Sequence, residues 1–199
     1  MKHRNIPLLG YALLGLLHQK PRSGYDLRKV FAETAMGNYS NSPGAIYPAL
    51  QRLERDAFVS GKVEATAGLR QRCVYRVTKK GMAALNHWLT DPIKPSDVQR
   101  GAGELMLRFS FMEQVCGSSG CITFLNSFRA MLEPYIGELE AYLKAQAESM
   151  PLSGRLALES GIRGYRTLHE WTGYALDAYR RQQFHAKAQI IETRTGDSQ

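Results

Sequence analysis

Three short amphipathic segments followed at once by two β-prone segments are the feature that most constrains the fold of this chain. Apolar residues recur at helical spacing in "LLGYALLGLLHQK", in "SGYDLRKVFAET" and in "AIYPALQRLERDA". The segments "FVSGKVEA" and "QRCVYRVT" are rich in β-branched and aromatic residues, and the glycine-containing "TAGLR" joins them. This order predicts three helices and a β-hairpin.

The ends of the first two helices are marked by a proline and by a hydroxyl side chain. Pro21 ends the first helix, and Ser23 can cap the N-terminus of the second. Apolar side chains at helical spacing on all three helices predict the core of this part of the chain. They are Leu9, Leu13, Leu16, Leu17, Tyr25, Leu27, Val30, Phe31, Ile46, Leu50, Leu53 and Ala57.

The third helix begins with Pro43, Gly44 and Pro48, three residues that weaken a helix. If Ser42 caps this helix, Pro43 takes its first position, where a missing N–H costs nothing. Pro48 forfeits only one early hydrogen bond, and Gly44 leaves the backbone freedom to relieve the strain. The face opposite the apolar stripe carries Gly44, Pro48, Gln51 and Arg55, with Tyr47 and Arg52 at its margins. We interpret it as a stiff, narrow helix tip suited to close approach to a partner.

The net charge of +8 is unevenly divided along the chain. Residues 1–100 hold 16 Lys and Arg against 7 Asp and Glu, a net charge of +9, whereas residues 101–199 hold 10 against 11, a net charge of −1. A basic excess confined to one half suits a surface that meets a polyanion, and a merely soluble basic surface is the alternative.

A further helix and a proline-containing linker follow the hairpin. Thr78 can cap "KKGMAALNHWL", which stops at "TDP". The following "DPIKPSD" reads as a linker because prolines and polar residues interrupt the helical pattern. We therefore predict two domains, residues 1–91 and residues 92–199.

The second domain is predicted to be wholly helical. A short helix around "GELMLRFSFMEQ" precedes two long amphipathic helices, and Pro134 predicts a kink or a local restart in the first of them. Two long helices without a third comparable partner cannot bury both apolar seams well in one small domain. Dimerisation through this half is the simplest solution, and an intramolecular hairpin folded back on the first domain is the alternative. The seam residues are Leu125, Phe128, Leu132, Tyr135, Leu139, Leu158, Ile162, Tyr165, Leu168 and Tyr179.

Three short helices followed by a basic hairpin form the layout of a winged helix, whose third helix enters the DNA major groove. The expected fold class is mainly α: a winged helix-turn-helix domain of three helices plus a β-hairpin wing, followed by a helical dimerisation domain. The motifs "LLGLL", "SGYDL", "GAIYPALQRLE" and "YRVTKKG", in this order, resemble the PadR-like transcriptional regulators. The stretch "LALESGIRGYRTLHEWTGYAL" is similar to the helical C-terminal domain of the subgroup related to virulence activators.

The resemblance implies a homodimer whose long C-terminal helices pack across the two-fold axis and which binds a palindromic operator. We therefore expect a sequence-specific, DNA-binding transcriptional repressor, with double-stranded DNA, a second copy of the chain and a releasing small-molecule effector as its partners. The alternative is a winged-helix adaptor that binds another protein through its C-terminal helices and does not bind DNA.

The start of the third helix and the wing carry the residues predicted to contact DNA. Small residues let the helix start approach base edges, and its free N–H groups suit a phosphate. Tyr47 can donate its hydroxyl to a phosphate or have a structural role, and Arg52 and Arg55 can contact phosphates or pair with neighbouring acids. The predicted contacts are Asn41, Ser42, Gly44, Ala45, Tyr47, Gln51 and Arg52 near the helix, and Lys62, Arg70 and Arg72 on the wing.

Several aromatic residues are candidates for a pocket that binds a small hydrophobic or aromatic effector, between the domains or at the dimer seam. They are Trp88, Phe109, Trp171 and Tyr174, and ordinary core packing is the alternative for each. The pair Cys116 and Cys121 in "CGSSGC" indicates either a turn before a helix or a redox switch.

No pattern in the sequence is typical of an enzyme or of a metal centre. There is no G-x-S-x-G and no glycine-rich phosphate loop, and the histidines are scattered singly as His3, His18, His87, His169 and His185. We therefore expect no catalytic residue, no metal and no cofactor. The lack of a long apolar run or a signal peptide predicts a cytoplasmic protein with no membrane partner.

Overall fold

The computed structural model of the chain describes the backbone of residues 6–39, 43–64 and 72–196, and side chains up to residue 182 except at positions 38 and 43. The chain divides into two compact units, Met1–Asp91 and Pro92–Gln199. All the described strands lie in the first unit, and the second unit is helical, which confirms the mainly α fold class. No described helix combines the length and the apolar character needed to cross a membrane.

The first unit is built from four helices and a small antiparallel sheet. The helices are α1 (Leu8–Gln19), α2 (Gly24–Glu33), α3 (Ile46–Arg55) and α4 (Lys79–Thr90), and the strands are β1 (Arg22–Ser23), β2 (Val59–Glu64) and β3 (Arg72–Val77). β3 lies between the other two strands, and it forms the predicted hairpin wing with β2. This arrangement of helices and hairpin is the predicted winged helix.

β1 is a strand that the sequence analysis did not predict. It begins one residue after Pro21 and pairs with β3, Arg22 with Tyr75 and Ser23 with Val74. A strand of two residues is too short to show an alternation of apolar and polar side chains. Pro21 prevents α1 from continuing, so the residues after it are extended. Their pairing with β3 gives their backbone N–H and C=O groups hydrogen-bond partners.

The core of the first unit follows the predicted apolar stripes, with two corrections. Its predicted members that are buried are Leu13, Leu16, Leu17, Leu27, Phe31, Ile46, Leu50 and Leu53, while Leu9 and Val30 are half-buried. Tyr25 is 63% exposed. It lies about 100° around α2 from the buried Gly24 and therefore points outward. Ala57 is also exposed, because α3 ends at Arg55 and Ala57 takes a left-handed φ of 60° in the turn to β2.

The start of α3 also differs from the prediction. Pro43–Ala45 forms a 3-10 turn, and the α-helix begins only at Ile46. Pro48 is then the third residue of the α-helix, where a backbone N–H has no intrahelical partner. Pro48 therefore forfeits no helical hydrogen bond. Ser42, the predicted cap, lies outside the described residues.

Ser23 caps α2 through a reciprocal pair with Asp26, as the sequence predicts for Ser23. The Asp26 backbone N–H donates to Ser23 Oγ at 3.2 Å, and the Ser23 backbone N–H donates to Asp26 Oδ2 at 3.0 Å. The Ser23 hydroxyl also donates to Oδ2, at 2.7 Å. The hydrogen bonds from the hydroxyl and from the backbone of Ser23 lower the pKa of Asp26.

Ser23→Ala is expected to lower the free energy of unfolding by about 1 kcal/mol at neutral pH, because the cap of α2 is lost. The folded-state pKa of Asp26 lies below its ordinary value of 3.8, so the stabilisation is present above that value and is lost as the pH falls through the folded-state pKa. The difference between the two proteins should therefore shrink in acid. Urea unfolding at neutral and acidic pH measures it, and Ser60→Ala, at an exposed serine of β2, is the control. A loss as large in the control would contradict the capping role.

Thr78 caps α4, as predicted, and the segment after α4 is only partly a linker. The Gly81 N–H donates to Thr78 Oγ1 at 3.1 Å, and the Thr78 hydroxyl donates to the Ala57 carbonyl at 2.8 Å. The helix α5 (Pro95–Gln99) lies inside and beyond the predicted linker. Pro95 occupies the start of this helix, where proline is tolerated, so the assignment of "DPIKPSD" to a linker is wrong from residue 95 onward.

Two long helices, α6 (Gly103–Gln146) and α7 (Leu152–Gly196), make up most of the second unit. A turn at Gly117, with φ 66° and ψ 179°, interrupts α6 and separates the predicted short helix from the long one. Pro134 lies within α6 without non-helical backbone angles, so the predicted restart there is wrong. Pro134 and Ala130 are both exposed, and water can satisfy the carbonyl of Ala130 that the proline leaves free.

Candidate nucleic-acid interface

The outward face of α3, together with the 3-10 turn before it, is exposed to solvent, as the spacing predicts. The exposed residues are Gly44, Pro48, Gln51, Arg52 and Arg55. Ala45, at the start of the helix, is half-buried. Asn41 and Ser42 lie outside the described residues. The small residues and the basic residues that were predicted to contact DNA are thus accessible wherever the structure describes them.

Tyr47 packs on α2 and stays accessible at the same time. A Cβ at position 24 would lie 2.6 Å from Cε1 of Tyr47, so only glycine leaves room for the ring. Tyr47 is nevertheless 46% exposed. The structural role and the phosphate contact considered for Tyr47 are therefore compatible. The need for Gly24 was not predicted, although the motif "SGYDL" contains it.

The basic residues of α3 and the hairpin divide into paired and unpaired side chains. Arg55 lies 3.9 Å from Asp56, and Arg72 lies 4.0 Å from Asp26. Arg52 and Lys62 are exposed and form no ion pair within the described parts of the chain. Arg70 lies outside the described residues.

Exposed ion pairs are weak, so a phosphate can displace the acidic partners of Arg55 and Arg72. Within the described residues, Arg52 and Lys62 have no ion pair to break first.

Tyr75 of β3 anchors the hairpin against the side of α3. Burial, followed by the hydrogen bond with Cys73 and the neighbouring groups Cys73, Glu54 and Tyr47, raises the pKa of Tyr75 to about 12. Tyr75 therefore remains a neutral phenol at physiological pH. This cluster joins residues of α3 to residues of the hairpin, which no local pattern in the sequence indicates.

The predicted dimer seam lies between α6 and α7 of the same chain. Leu125, Phe128, Leu132 and Ile162 are buried within the single chain, and the other seam residues, Tyr135, Leu139, Leu158, Tyr165, Leu168 and Tyr179, are half-buried. The rings of Tyr135 and Tyr165 meet edge-on with their centroids 5.0 Å apart. The four buried residues leave no surface for a partner in this conformation, so their assignment to direct dimer contacts is corrected to intrachain packing.

The face of α7 turned away from this seam carries three exposed apolar side chains. Leu152 is 62% exposed, Leu156 is 52% exposed and Tyr174 is 68% exposed. At about 100° per residue these three positions fall within about 40° of one another around the helix. The buried Thr172 and Leu176 lie on the other side. We call Leu152, Leu156 and Tyr174 the outer apolar face of α7.

The four residues considered for an effector pocket do not form one cluster within either unit. Trp88 belongs to the first unit, where its ring stacks on Tyr11 with centroids 4.5 Å apart. Phe109 meets Trp171 edge-on at 5.3 Å in the second unit. Tyr174 is exposed on α7. Core packing therefore accounts for Trp88, and only Phe109 and Trp171 pack together.

The cysteines and the acidic residues provide no reactive or metal-binding centre among the described residues. Cys116 and Cys121 form no disulfide bond among the described residues, and burial raises the pKa of each thiol. A raised thiol pKa lowers the fraction of thiolate and with it the reactivity. The described residues contain no group of three or more His, Cys, Asp or Glu side chains that could hold a metal ion.

Comparisons with known proteins find similar chains. The family model described as "Transcriptional regulator PadR-like family" matches residues 13–87. The negative transcriptional regulator PadR of Bacillus subtilis (strain 168) is 30% identical over 151 residues, which cover 73% of this chain and 80% of that protein. A probable transcriptional regulator of Mycobacterium tuberculosis is 24% identical over 182 residues, covering 85% and 96% of the two chains. A crystal structure of Bacillus subtilis PadR in complex with operator DNA matches with a TM-score of 0.42 at 21% identity, covering 88% of this chain and 99% of that one.

Proposed function

This chain belongs to the PadR-like family of transcriptional regulators, and we propose that it acts as a homodimer that represses transcription by binding a palindromic operator. As a member of this family it is a DNA-binding transcriptional regulator and not an enzyme. In the proposed complex the outward face of α3 enters the major groove, and the β2–β3 hairpin follows the flanking backbone.

The observation that carries this proposal is that two exposed basic side chains, Arg52 on α3 and Lys62 on β2, form no ion pair among the described residues. Phosphate contacts supply most of the affinity of a DNA-binding protein and require cations that are free to bind. Gln51 lies exposed between Pro48 and Arg55 on the same outward face of α3. Its amide can read an adenine through two hydrogen bonds in the major groove.

The outer apolar face of α7 supports dimerisation. Apolar side chains exposed on the side of α7 that faces away from α6 suit a contact with another protein surface. In a two-fold symmetric dimer the same face is used by both copies, so one face on each chain is sufficient. We therefore place the proposed dimer contact at Leu152, Leu156 and Tyr174 rather than at the seam between α6 and α7.

Repression and release by an effector are the finer parts of the proposal. Repression is proposed because the Bacillus subtilis relative is named a negative regulator. A small aromatic effector is proposed to bind in the second unit, where Trp171 remains half-buried beside Phe109. A ring stacked on such a partly open aromatic pair gains both apolar burial and an aromatic contact.

Binding to duplex DNA tests the function. Fluorescence anisotropy with a labelled duplex taken from beside the gene is expected to show binding that weakens steeply as salt is raised. Each phosphate contact contributes about −0.9 to the slope of log K against log salt. Arg52 and Lys62 in both subunits account for about −3.6 of that slope. Absence of duplex binding at low salt, or binding that does not depend on salt, would contradict the proposal, and a duplex of scrambled sequence is the control for specificity.

A further inference from the structure

A hydrogen bond joins the last turn of α3 to the first strand of the wing. The backbone N–H of Gly61 donates to Oε1 of Glu54 at 2.8 Å. Glu54 belongs to α3, and Gly61 belongs to β2, next to Lys62. The Glu54 side chain of α3 thus binds the backbone of β2, the strand that carries Lys62.

Position 61 is shaped to accept this carboxylate. A Cβ at Gly61 would lie 2.7 Å from Glu54 Oε1, 2.7 Å from Cys73 Sγ and 3.1 Å from Tyr75 Cε1. Contacts this short require a neighbouring side chain to move, so a side chain at this position would compete with the Glu54 carboxylate for the same space. Tyr75 is the residue directly opposite Gly61 in the hairpin. The close approach therefore involves both strands of the wing.

The negative charge of Glu54 would be expected to oppose DNA binding. A carboxylate on a helix that approaches DNA is repelled by the phosphates, and its presence weakens binding unless it performs another task. Here the carboxylate accepts a backbone hydrogen bond from the wing, and hydrogen bonds to charged groups are among the stronger ones. This contact links the helix that carries Arg52 to the strand that carries Lys62, in addition to the backbone hydrogen bonds of the short turn between them. Their separation matters because both side chains must reach the same duplex at once.

We propose that Glu54 is a positioning residue for DNA binding, which holds the wing at Gly61 so that Lys62 reaches the backbone while α3 occupies the groove. The proposal rests on the proposed function, in which α3 and the hairpin bind one duplex together. Glu54 itself does not contact DNA. It acts through the position of β2.

Three variants at position 54 separate positioning from charge. Glu54→Gln keeps the acceptor oxygen and removes the charge. Glu54→Asp keeps the charge and shortens the side chain by one methylene, and Glu54→Ala removes both. We expect the operator affinity of the Gln variant to be within about twofold of wild type or tighter. We expect the Asp and Ala variants to bind about fivefold more weakly, as for the loss of one ordinary, solvent-exposed hydrogen bond. The salt dependence of the Asp and Ala variants should also be flatter, because Lys62 no longer reaches a phosphate.

The opposite order overturns the proposal. If charge alone matters, Glu54→Asp binds like wild type while Glu54→Gln and Glu54→Ala both bind more tightly. Glu33→Ala, which removes an exposed carboxylate from α2, is the matched control for charge and is expected to leave the salt dependence unchanged. Thermal unfolding by circular dichroism confirms that each variant is folded before it is titrated, and the conservative Asp variant alone still decides between the two outcomes if Glu54→Ala does not fold. Wild-type protein that fails to bind duplex DNA contradicts the proposed function instead, so the two failures are distinct.

Discussion

Alanine at both Arg52 and Lys62 is expected to weaken operator binding about 50-fold at low salt and to flatten its salt dependence. Each side chain occurs twice in the proposed dimer, so four phosphate contacts are lost. At about 0.6 kcal/mol for each exposed ion pair, four contacts correspond to about 50-fold in Kd. Each lost contact also removes about 0.9 from the slope of log K against log salt, or about 3.6 in all.

Anisotropy titrations between about 50 and 200 mM salt measure both changes. The matched control is Lys144→Ala combined with Arg181→Ala, which removes the same charge from exposed positions of α6 and α7. An equal loss in the control would mean that net charge, and not the winged helix, governs binding. Full operator affinity in the Arg52 and Lys62 double variant would mean that DNA binds at a surface other than α3 and the wing.

Two helix caps and the end of α1 were predicted correctly, because they depend on residues close together in the chain. Ser23 and Thr78 both cap the helices that follow them, and the capping bonds reach only three residues ahead. A cap competes with few alternatives, since the N–H groups of the first turn need an acceptor wherever the helix lies. Pro21 likewise ends α1 regardless of tertiary structure, because proline lacks the N–H that would continue the helix.

The errors lie where a residue's neighbours are distant in sequence or where a pattern was extended too far. Tyr25 was assigned to the core as a member of the apolar set of α2, although its angular position on the helix turns it to solvent. Ala57 was added to the stripe of α3 by extending the spacing past the end of the helix. The pairing of Arg72 with Asp26 joins β3 to α2, and no periodicity within either element encodes it. The same holds for the contact between Glu54 and Gly61.

The helical half shows what apolar periodicity can and cannot predict. The spacing correctly marked Leu125, Phe128 and Ile162 as buried side chains. A stripe of apolar residues requires a partner surface, but it does not specify whether that surface belongs to the same chain. α6 and α7 supply it for each other. A dimer contact must then use a different surface, and the outer apolar face of α7 is visible only once the orientation of α7 against α6 is known.

The break in α6 follows the same reasoning at the level of the backbone. Pro134 was expected to kink or restart the helix, and no restart occurs there, whereas the turn at Gly117 lies between the predicted short helix and the long one. A proline in an exposed helix lets water replace the lost bond, and glycine at 117 takes a positive φ that most other residues avoid. The turn was therefore indicated by the local sequence, whereas the solvent exposure that tolerates Pro134 is not a local property.

Leu152→Glu combined with Leu156→Glu is expected to convert the proposed dimer to a monomer and to weaken operator binding about 100-fold or more. A carboxylate placed in an apolar contact must be desolvated, and in a two-fold dimer both copies carry the charges, which repel each other. Monomers engage the two half-sites independently and lose the effective concentration that linkage provides, which is worth about 100-fold or more in affinity. Both side chains are more than half exposed in the single chain, so the fold of the second unit should survive.

Sedimentation velocity measures the oligomeric state, anisotropy the affinity and circular dichroism the integrity of the helices. Ser153→Glu combined with Ala157→Glu is the matched control, because it adds the same charges one residue further along α7, about 100° around the helix from the outer apolar face. The control should remain dimeric and bind the operator normally. If the Leu152 and Leu156 variant also remained dimeric, the contact would lie elsewhere on the second unit. A monomeric variant that kept full operator affinity would instead contradict the two half-site arrangement, because a dimer that bridges a palindrome cannot lose its partner without losing half of its contacts.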